Sequence, residues 1–205
     1  MGTISLKVLR PYNRPRVESS IDPPAGPRKD MTMVASVKPL MTAEVLQKRV
    51  QELGQHLSQV YEDQHPVVLG LLKGVVPFYA DLVRAMSIDI EMQFMQVSSY
   101  GSGMSSSGKL NIRQDLTASL EHRPVLLVDD IMDTGLTLFE IKEYVLKRGA
   151  REVKICTLLD KPSRRQFPLH PDFIGFEIPD HFVVGYGLDY QERFRNLPYI
   201  GIYTP

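Results

Sequence analysis

Cysteine is almost absent: Cys156 is the only one in 205 residues. That excludes an intrachain disulfide framework and a multi-cysteine metal site. Its place in the apolar run VKICTLL predicts a buried packing residue, not a reactive thiol. Net charge is absent too, with 24 Lys and Arg against 24 Asp and Glu and a pI near 7.0. Non-specific nucleic-acid binding, which needs a basic surface, therefore has no support. No apolar run approaches the roughly 20 residues of a membrane span, and the first residues lack the apolar core of a signal peptide. These absences predict a cytoplasmic protein with neither membrane nor nucleic acid as its partner. What is present is a 43% hydrophobic chain, long enough for one globular domain with a sizeable core.

Two regions differ in composition. Five of the first 30 residues are proline, which predicts an arm over residues 1–40 with little regular structure. The domain proper is expected over 41–205. Thr42 is a suitable N-cap, with Glu44 in the first turn, and Leu46, Val50, Leu53, Leu57 and Val60 then fall on one helical face. PVVLGLL (66–72) reads as a strand buried on both faces. Lys73-Gly74 ends it, and Pro77 suits the first turn of a helix, PFYADLVRAM. SIDIEMQF (87–94) alternates Ile88, Ile90, Met92 and Phe94 with polar residues, predicting a half-exposed strand. GSGMSSSGK (101–109) is a flexible loop. VLLV (125–128), VKICTLL (153–159), DFIGFEI, HFVVGYGL and YIGIY supply further strands, with a helix between the first two that closes near Gly149. The alternation predicts an α/β domain with a mainly parallel sheet flanked by helices.

The chemistry collects at strand ends, where open parallel sheets bind ligands. Lys73-Gly74 follows the first buried strand, an acidic loop follows VLLV, and Asp160-Lys161 follows VKICTLL. Asp129, Asp130 and Asp133 repel one another unless a cation or a donor-rich ligand offsets them. Residues 133–137, Asp-Thr-Gly-Leu-Thr, lie between strand and helix. Their backbone amides, two hydroxyls and the helix N-terminus suit a phosphate, with Gly135 expected to let the backbone approach it closely. Asp129 and Asp130 suit ribose hydroxyls or a Mg²⁺ shell. A phosphate at one end and diols at the other describe a ribose 5-phosphate. The G-x-x-x-x-G-K-[ST] of a Walker loop is not in this stretch.

VLLVDDIMDTGLT resembles the phosphoribosyl pyrophosphate signature of type I phosphoribosyltransferases. LLKG (71–74), SSYGSG (98–103), LLDKPSRR (158–165) and FEIPDHFVVGYGLDYQERFRNLPYIG (176–201) extend the resemblance to the 6-oxopurine, hypoxanthine-guanine branch, in its bacterial form. The resemblance runs from about residue 40 to the C-terminus. It implies a type I phosphoribosyltransferase fold with a small hood and a flexible lid over about 99–112. The implied reaction transfers the 5-phosphoribosyl group to hypoxanthine or guanine, giving IMP or GMP and pyrophosphate. The implied cofactor is Mg²⁺, and the implied assembly a homo-oligomer, dimer or tetramer.

The same resemblance implies roles for individual residues. Asp129 and Asp130 hold ribose hydroxyls directly or through Mg²⁺, and Asp133, Thr134, Gly135, Leu136 and Thr137 bind the 5-phosphate. Lys161 donates to the purine 6-oxo group, Phe182 stacks on the base, and Val183 offers backbone groups to its edge. Asp189 sits by a second Mg²⁺ and the purine 2-position. Lys73, Gly74 and Arg195 bind pyrophosphate, while Ser99 and Tyr100 belong to the lid. Arg165 is expected to hold Lys161 or pyrophosphate, and Asp133 is the candidate proton acceptor at purine nitrogen 7. Two positions depart from the family pattern. Val75 stands where Gly or Ser is usual, predicting a different backbone at the pyrophosphate loop. The pair Asp129-Asp130 has Asp at a position where Glu is common, with a shorter reach. Alternative readings are a xanthine-preferring enzyme and a non-catalytic nucleotide-sensing regulator. The presence of Lys73, Asp133 and Arg195 together weighs against the second.

Overall fold

The computed structural model describes residues 37–98 and 111–204. The Pro-rich segment through residue 36, Ser99, Tyr100 and the Gly/Ser stretch lie outside the described residues. Strand β1 (Val37–Met41) precedes helix α1 (Ala43–Val60), strand β2 (Val67–Leu72), helix α2 (Val76–Ala85) and strand β3 (Glu91–Ser98). Strands β4 (Asn111–Gln114) and β5 (Pro124–Met132), helix α3 (Leu136–Lys147) and strand β6 (Glu152–Asp160) follow. A 3₁₀ turn at Pro162–Arg164 and strands β7 (Phe173–Glu177), β8 (Val183–Val184) and β9 (Ile200–Tyr203) complete the order.

Among the described residues the main sheet has the order β4-β3-β2-β5-β6-β7. It is parallel except for β4, which runs antiparallel beside β3. The pleat divides its side chains between two cores. Leu126 and Val128 of β5 join Leu46, Leu53 and Leu57 of α1 and Phe78 and Leu82 of α2. Val125 and Leu127 point the other way, to Leu138, Ile141 and Val145 of α3. Helices thus cover both faces, which is why β2 and β5 can be apolar without interruption. A small antiparallel sheet, β1-β9-β8, adds Val183 and Ile200 to the first core.

The Thr42 hydroxyl accepts the Val45 amide at 3.4 Å and caps α1 as the spacing predicts. Four boundaries differ from the sequence reading. Residues 37–40, assigned by composition to the arm, form β1 because β9 pairs with them (Val37↔Tyr203, Pro39↔Gly201). The strand read at 87–94 begins instead at Glu91, where the register with β2 starts (Val67↔Glu91). Met92 is consequently 49% exposed, and Met95 carries the burial. β4 has no counterpart in the sequence reading and takes in the end of the expected lid. β5 does not stop at Val128; its ladder with β6 continues to Met132↔Asp160.

Candidate active site

The last of these differences creates the site. β2 pairs with β5 only as far as Gly70↔Val128, while β2 continues along β3 to Leu72↔Gln96 and β5 continues along β6. The two central strands part at their carboxyl ends, where the strand order reverses, and this is the usual ligand crevice of an open α/β sheet. Asp129 and Asp130 are therefore strand residues one step past the split, not loop residues. They line one side of a cleft of about 240 Å³ whose other walls are Ile131, Met132, Asp133, Thr134, Gly135, Thr137 and Leu138.

The diacid is electrostatically unfinished. Neither carboxylate forms an ion pair among the described residues, and the closest support is the Asp130 amide donating to Asp129 Oδ1 at 3.1 Å. Burial, then the neighbouring Asp130 charge, pushes Asp129 well above the usual carboxylate range. Burial pushes Asp130 up to about 6 against the opposing pull of backbone amides and Arg195. A cation or hydroxyl donors at this end would favour both charges.

At the other end of the cleft, Gly135 turns the chain at φ +87° and α3 starts with no side-chain cap. Thr134 Oγ1 accepts the Leu136 amide at 3.4 Å. Unclaimed amides at a helix N-terminus form an anion site. The loop is braced from β6. Arg165 Nη1 donates to the Asp133 carbonyl at 2.5 Å, its Nη2 pairs with buried Asp160, and the Gln166 and Phe167 amides donate to the Thr134 carbonyl. A Cβ on Gly135 would meet Met132 at 3.1 Å and Arg165 at 3.2 Å. The backbone angle favours glycine here, and a side chain would also press on the Arg165 stem. Arg165 thus clamps the loop, and among the described residues it makes no hydrogen bond to Lys161.

Lys161 is 7% exposed. Its amide donates to the Met132 carbonyl, and its Nζ lies 3.4 Å from Asp180. Asp180 also faces Arg164 at 3.6 Å, and Arg164 Nε reaches Asp133 Oδ1 at 3.1 Å. An alternating chain, Asp133, Arg164, Asp180, Lys161, therefore joins two expected site residues through two that sequence reasoning missed. Phe182 is 52% exposed and edge-on to Tyr190 at 5.8 Å, so it is not a core residue. Val183 is buried, registered against Ile202 in the small sheet.

Lys73 and Gly74 follow a cis Leu72–Lys73 peptide. A Cβ on Gly74 would strike the Asp130 carboxylate, and one on Gly187 (φ +102°) would strike the Gly74 carbonyl. Only glycine at both positions lets these backbones close over the diacid. Val75 is fully buried with ordinary helical angles. Its side chain thus adds to the first core. Arg195 donates to the Gly187 carbonyl at 2.8 Å and pairs with Asp189 at 2.8 Å and Glu192 at 3.1 Å. Glu192 in turn reaches Lys73 Nζ at 3.1 Å. Asp189 accepts the Glu192 amide on its second oxygen. The three carboxylates expected at metal do not form one cage: among the described residues no group of three or more His, Cys, Asp or Glu side chains is placed to hold an ion. Arg164, Asp180 and Glu192 carry no periodic or spacing signal, and only the tertiary pairing reveals them.

Residues 41–191 match the phosphoribosyl transferase domain. Over 168 residues the chain is 52% identical to hypoxanthine-guanine phosphoribosyltransferase of Bacillus subtilis, covering 82% of this chain and 93% of that protein. It is 50% identical over 163 residues to the enzyme of the same name from Aquifex aeolicus, covering 79% and 92%. A hypoxanthine phosphoribosyltransferase structure from Staphylococcus aureus superposes with a TM-score of 0.82 at 41% identity, covering 87% of this chain and 97% of that one. The split sheet, the diacid past the split and the open helix N-terminus thus accompany a match over most of the chain, which belongs to the phosphoribosyltransferase family.

Proposed function

We propose that this protein is a purine-salvage enzyme that moves the 5-phosphoribosyl group of phosphoribosyl pyrophosphate onto hypoxanthine or guanine. The products are IMP or GMP and pyrophosphate. The observation that carries the reading is the two-ended cleft: an uncompensated diacid at Asp129-Asp130 and an uncapped helix N-terminus at 135–137 along one wall. A ribose with a 5-phosphate presents hydroxyls to the first and an anion to the second. Relatives named for hypoxanthine and guanine supply the base class.

In this reading Thr134–Thr137 hold the 5-phosphate while Asp129 and Asp130 take the ribose hydroxyls. Lys73, Gly74 and Arg195 receive the pyrophosphate. Buried Lys161 donates to the purine 6-oxygen, which disfavours adenine, whose 6-amino group is itself a donor. Phe182 stacks on the base, and Val183, its side chain committed to the core, presents backbone groups to the purine edge. Asp133 faces nitrogen 7. A carboxylate is a weak base at neutral pH, so holding the purine in line is its larger contribution. Displacement at the anomeric carbon passes through an oxocarbenium-like state, and excluding water protects it. Closing a lid that contains Ser99 and Tyr100 is the proposed means.

The residues fit Mg²⁺, a hard cation commonly held by one or two carboxylates plus substrate phosphates and not by a complete protein cage. Asp129 and Asp130 would hold it at the ribose end and Asp189 would face a second ion. The metal would neutralise charge on the departing pyrophosphate. Among the described residues no helix is long and apolar enough to cross a membrane. The cytoplasm is the proposed site of action, and a dimer or tetramer the proposed assembly.

Purified protein given Mg²⁺, phosphoribosyl pyrophosphate and each of hypoxanthine, guanine, xanthine and adenine should release pyrophosphate with the first two. No turnover with any base would sink the enzyme reading; turnover with xanthine alone would reassign the substrate.

A further inference from the structure

Glu192 is the acidic residue that both expected pyrophosphate cations share. One carboxylate oxygen lies 3.1 Å from Lys73 Nζ, and the other lies 3.1 Å from Arg195 Nη2. Lys73 and Arg195 come from loops 122 positions apart (195 − 73), so one carboxylate spans the gap between two independent cations. The backbone is set to put it there. Gln191, Glu192 and Phe194 all adopt left-handed φ (52°, 62° and 74°), a region ordinary side chains seldom occupy. The Glu192 amide is tied to Asp189 Oδ2 at 2.8 Å. Arg195 Nε is also buried and has no hydrogen-bond partner among the described residues.

We infer that Glu192 is an internal stand-in for pyrophosphate: it occupies Lys73 and Arg195 in the free protein, yields them to the incoming diphosphate, and reclaims them as pyrophosphate leaves. The inference rests on the proposed phosphoribosyl transfer. The physical case is one of competition. Lys73 and Glu192 side chains are 58% and 65% exposed, so their pair is weak and exchangeable, whereas a diphosphate carries more charge and more acceptor oxygens. The stand-in keeps two cations from repelling each other in the empty site and limits how tightly the product is held. Affinity for the diphosphate is thereby lowered without any loss of the groups that bind it.

The test is calorimetric titration of the full chain with magnesium pyrophosphate, comparing the unmodified protein with Glu192→Gln, which keeps the shape and removes the charge. The expected result is binding about threefold to tenfold tighter in the variant, the scale of exposed ion pairs. Pyrophosphate inhibition of the forward reaction should tighten by the same factor. Binding of GMP, which lacks the diphosphate, should change by less than about twofold on that scale. Glu192→Asp, whose shorter arm cannot span both cations, should fall between. Unchanged or weaker pyrophosphate binding in Glu192→Gln, or an equal gain for GMP, would overturn the inference alone. A protein that binds no pyrophosphate at all would overturn the underlying site reading and this inference with it.

Discussion

β5 and β6 run side by side through the same cores and both finish in buried charge, yet they finish differently. At the end of β6, Asp160 is paired with Arg165, and Lys161 faces Asp180. At the end of β5, Asp129 and Asp130 have no ion pair among the described residues, and burial raises both pKa values. Neighbouring strands with similar chemistry thus separate into one terminus completed by the protein and one left for a ligand to complete. A charge that the fold satisfies from within supports the site; a charge that it leaves open belongs to the site.

The comparison can be broken most forcefully at β6. Arg165→Ala leaves Asp160 buried and unpaired and releases the Asp133 carbonyl. It should cost about 3–5 kcal/mol of stability, the range for removing one partner of a buried pair, read by denaturant unfolding. The equivalent change at β5 should act in the opposite direction. Because the folded-state pKa of Asp130 is raised to about 6, the native state binds the extra proton between pH ~4 and ~6. Stability of the free protein should therefore fall as pH rises through that window. Asp130→Asn should shrink that slope to the part that buried Asp129 contributes and stabilise the free protein near pH 8 by roughly 1–3 kcal/mol, while turnover is lost. A destabilised Asp130→Asn would mean that its charge is satisfied internally after all.

Two smaller tests sharpen the contrast. Asp180→Asn unpairs Lys161 from a carboxylate that is half exposed, so about 0.5–1 kcal/mol is expected in thermal unfolding. Discrimination between 6-oxo and 6-amino bases, measured as kcat/KM, should decline with it. Chelating Mg²⁺ should stop turnover yet leave the unfolding temperature of the substrate-free protein unchanged, since the diacid is proposed to take its metal with the substrate. The smallest effect is at Cys156, whose thiol burial pushes up to about 12. It should resist thiol reagents in the native state and react only on unfolding.

Most of this architecture is legible in the sequence. The 4-3-4-3 spacing from Leu46 to Val60 and the unbroken apolar runs of β2, β5 and β6 are local signals, and all four elements are present. What was not legible depends on partners distant in sequence. β1 is a strand because β9 lies beside it, and β3 starts at Glu91 because β2 sets its register. The charges of Asp129 and Asp130 suggest the end of a strand, yet β6 carries that strand four positions past Val128, to Met132. Gly135 was read as serving the ligand because the motif suggests it; the Arg165 stem packed against it supplies the further reason. Arg164, Asp180 and Glu192 are exposed polar residues whose meaning lies wholly in what they face.

The pairing of β1 with β9 has a consequence for engineering. Val37 and Tyr203 are register partners, so a short linker could join them without unravelling the small sheet. The exposed turn at Glu121-His122 immediately precedes β5, at the strand end opposite the cleft. A circular permutant opened there would begin with the signature strand and leave every proposed binding group in its original surroundings. The order in which this chain is synthesised is therefore separable from the site it builds.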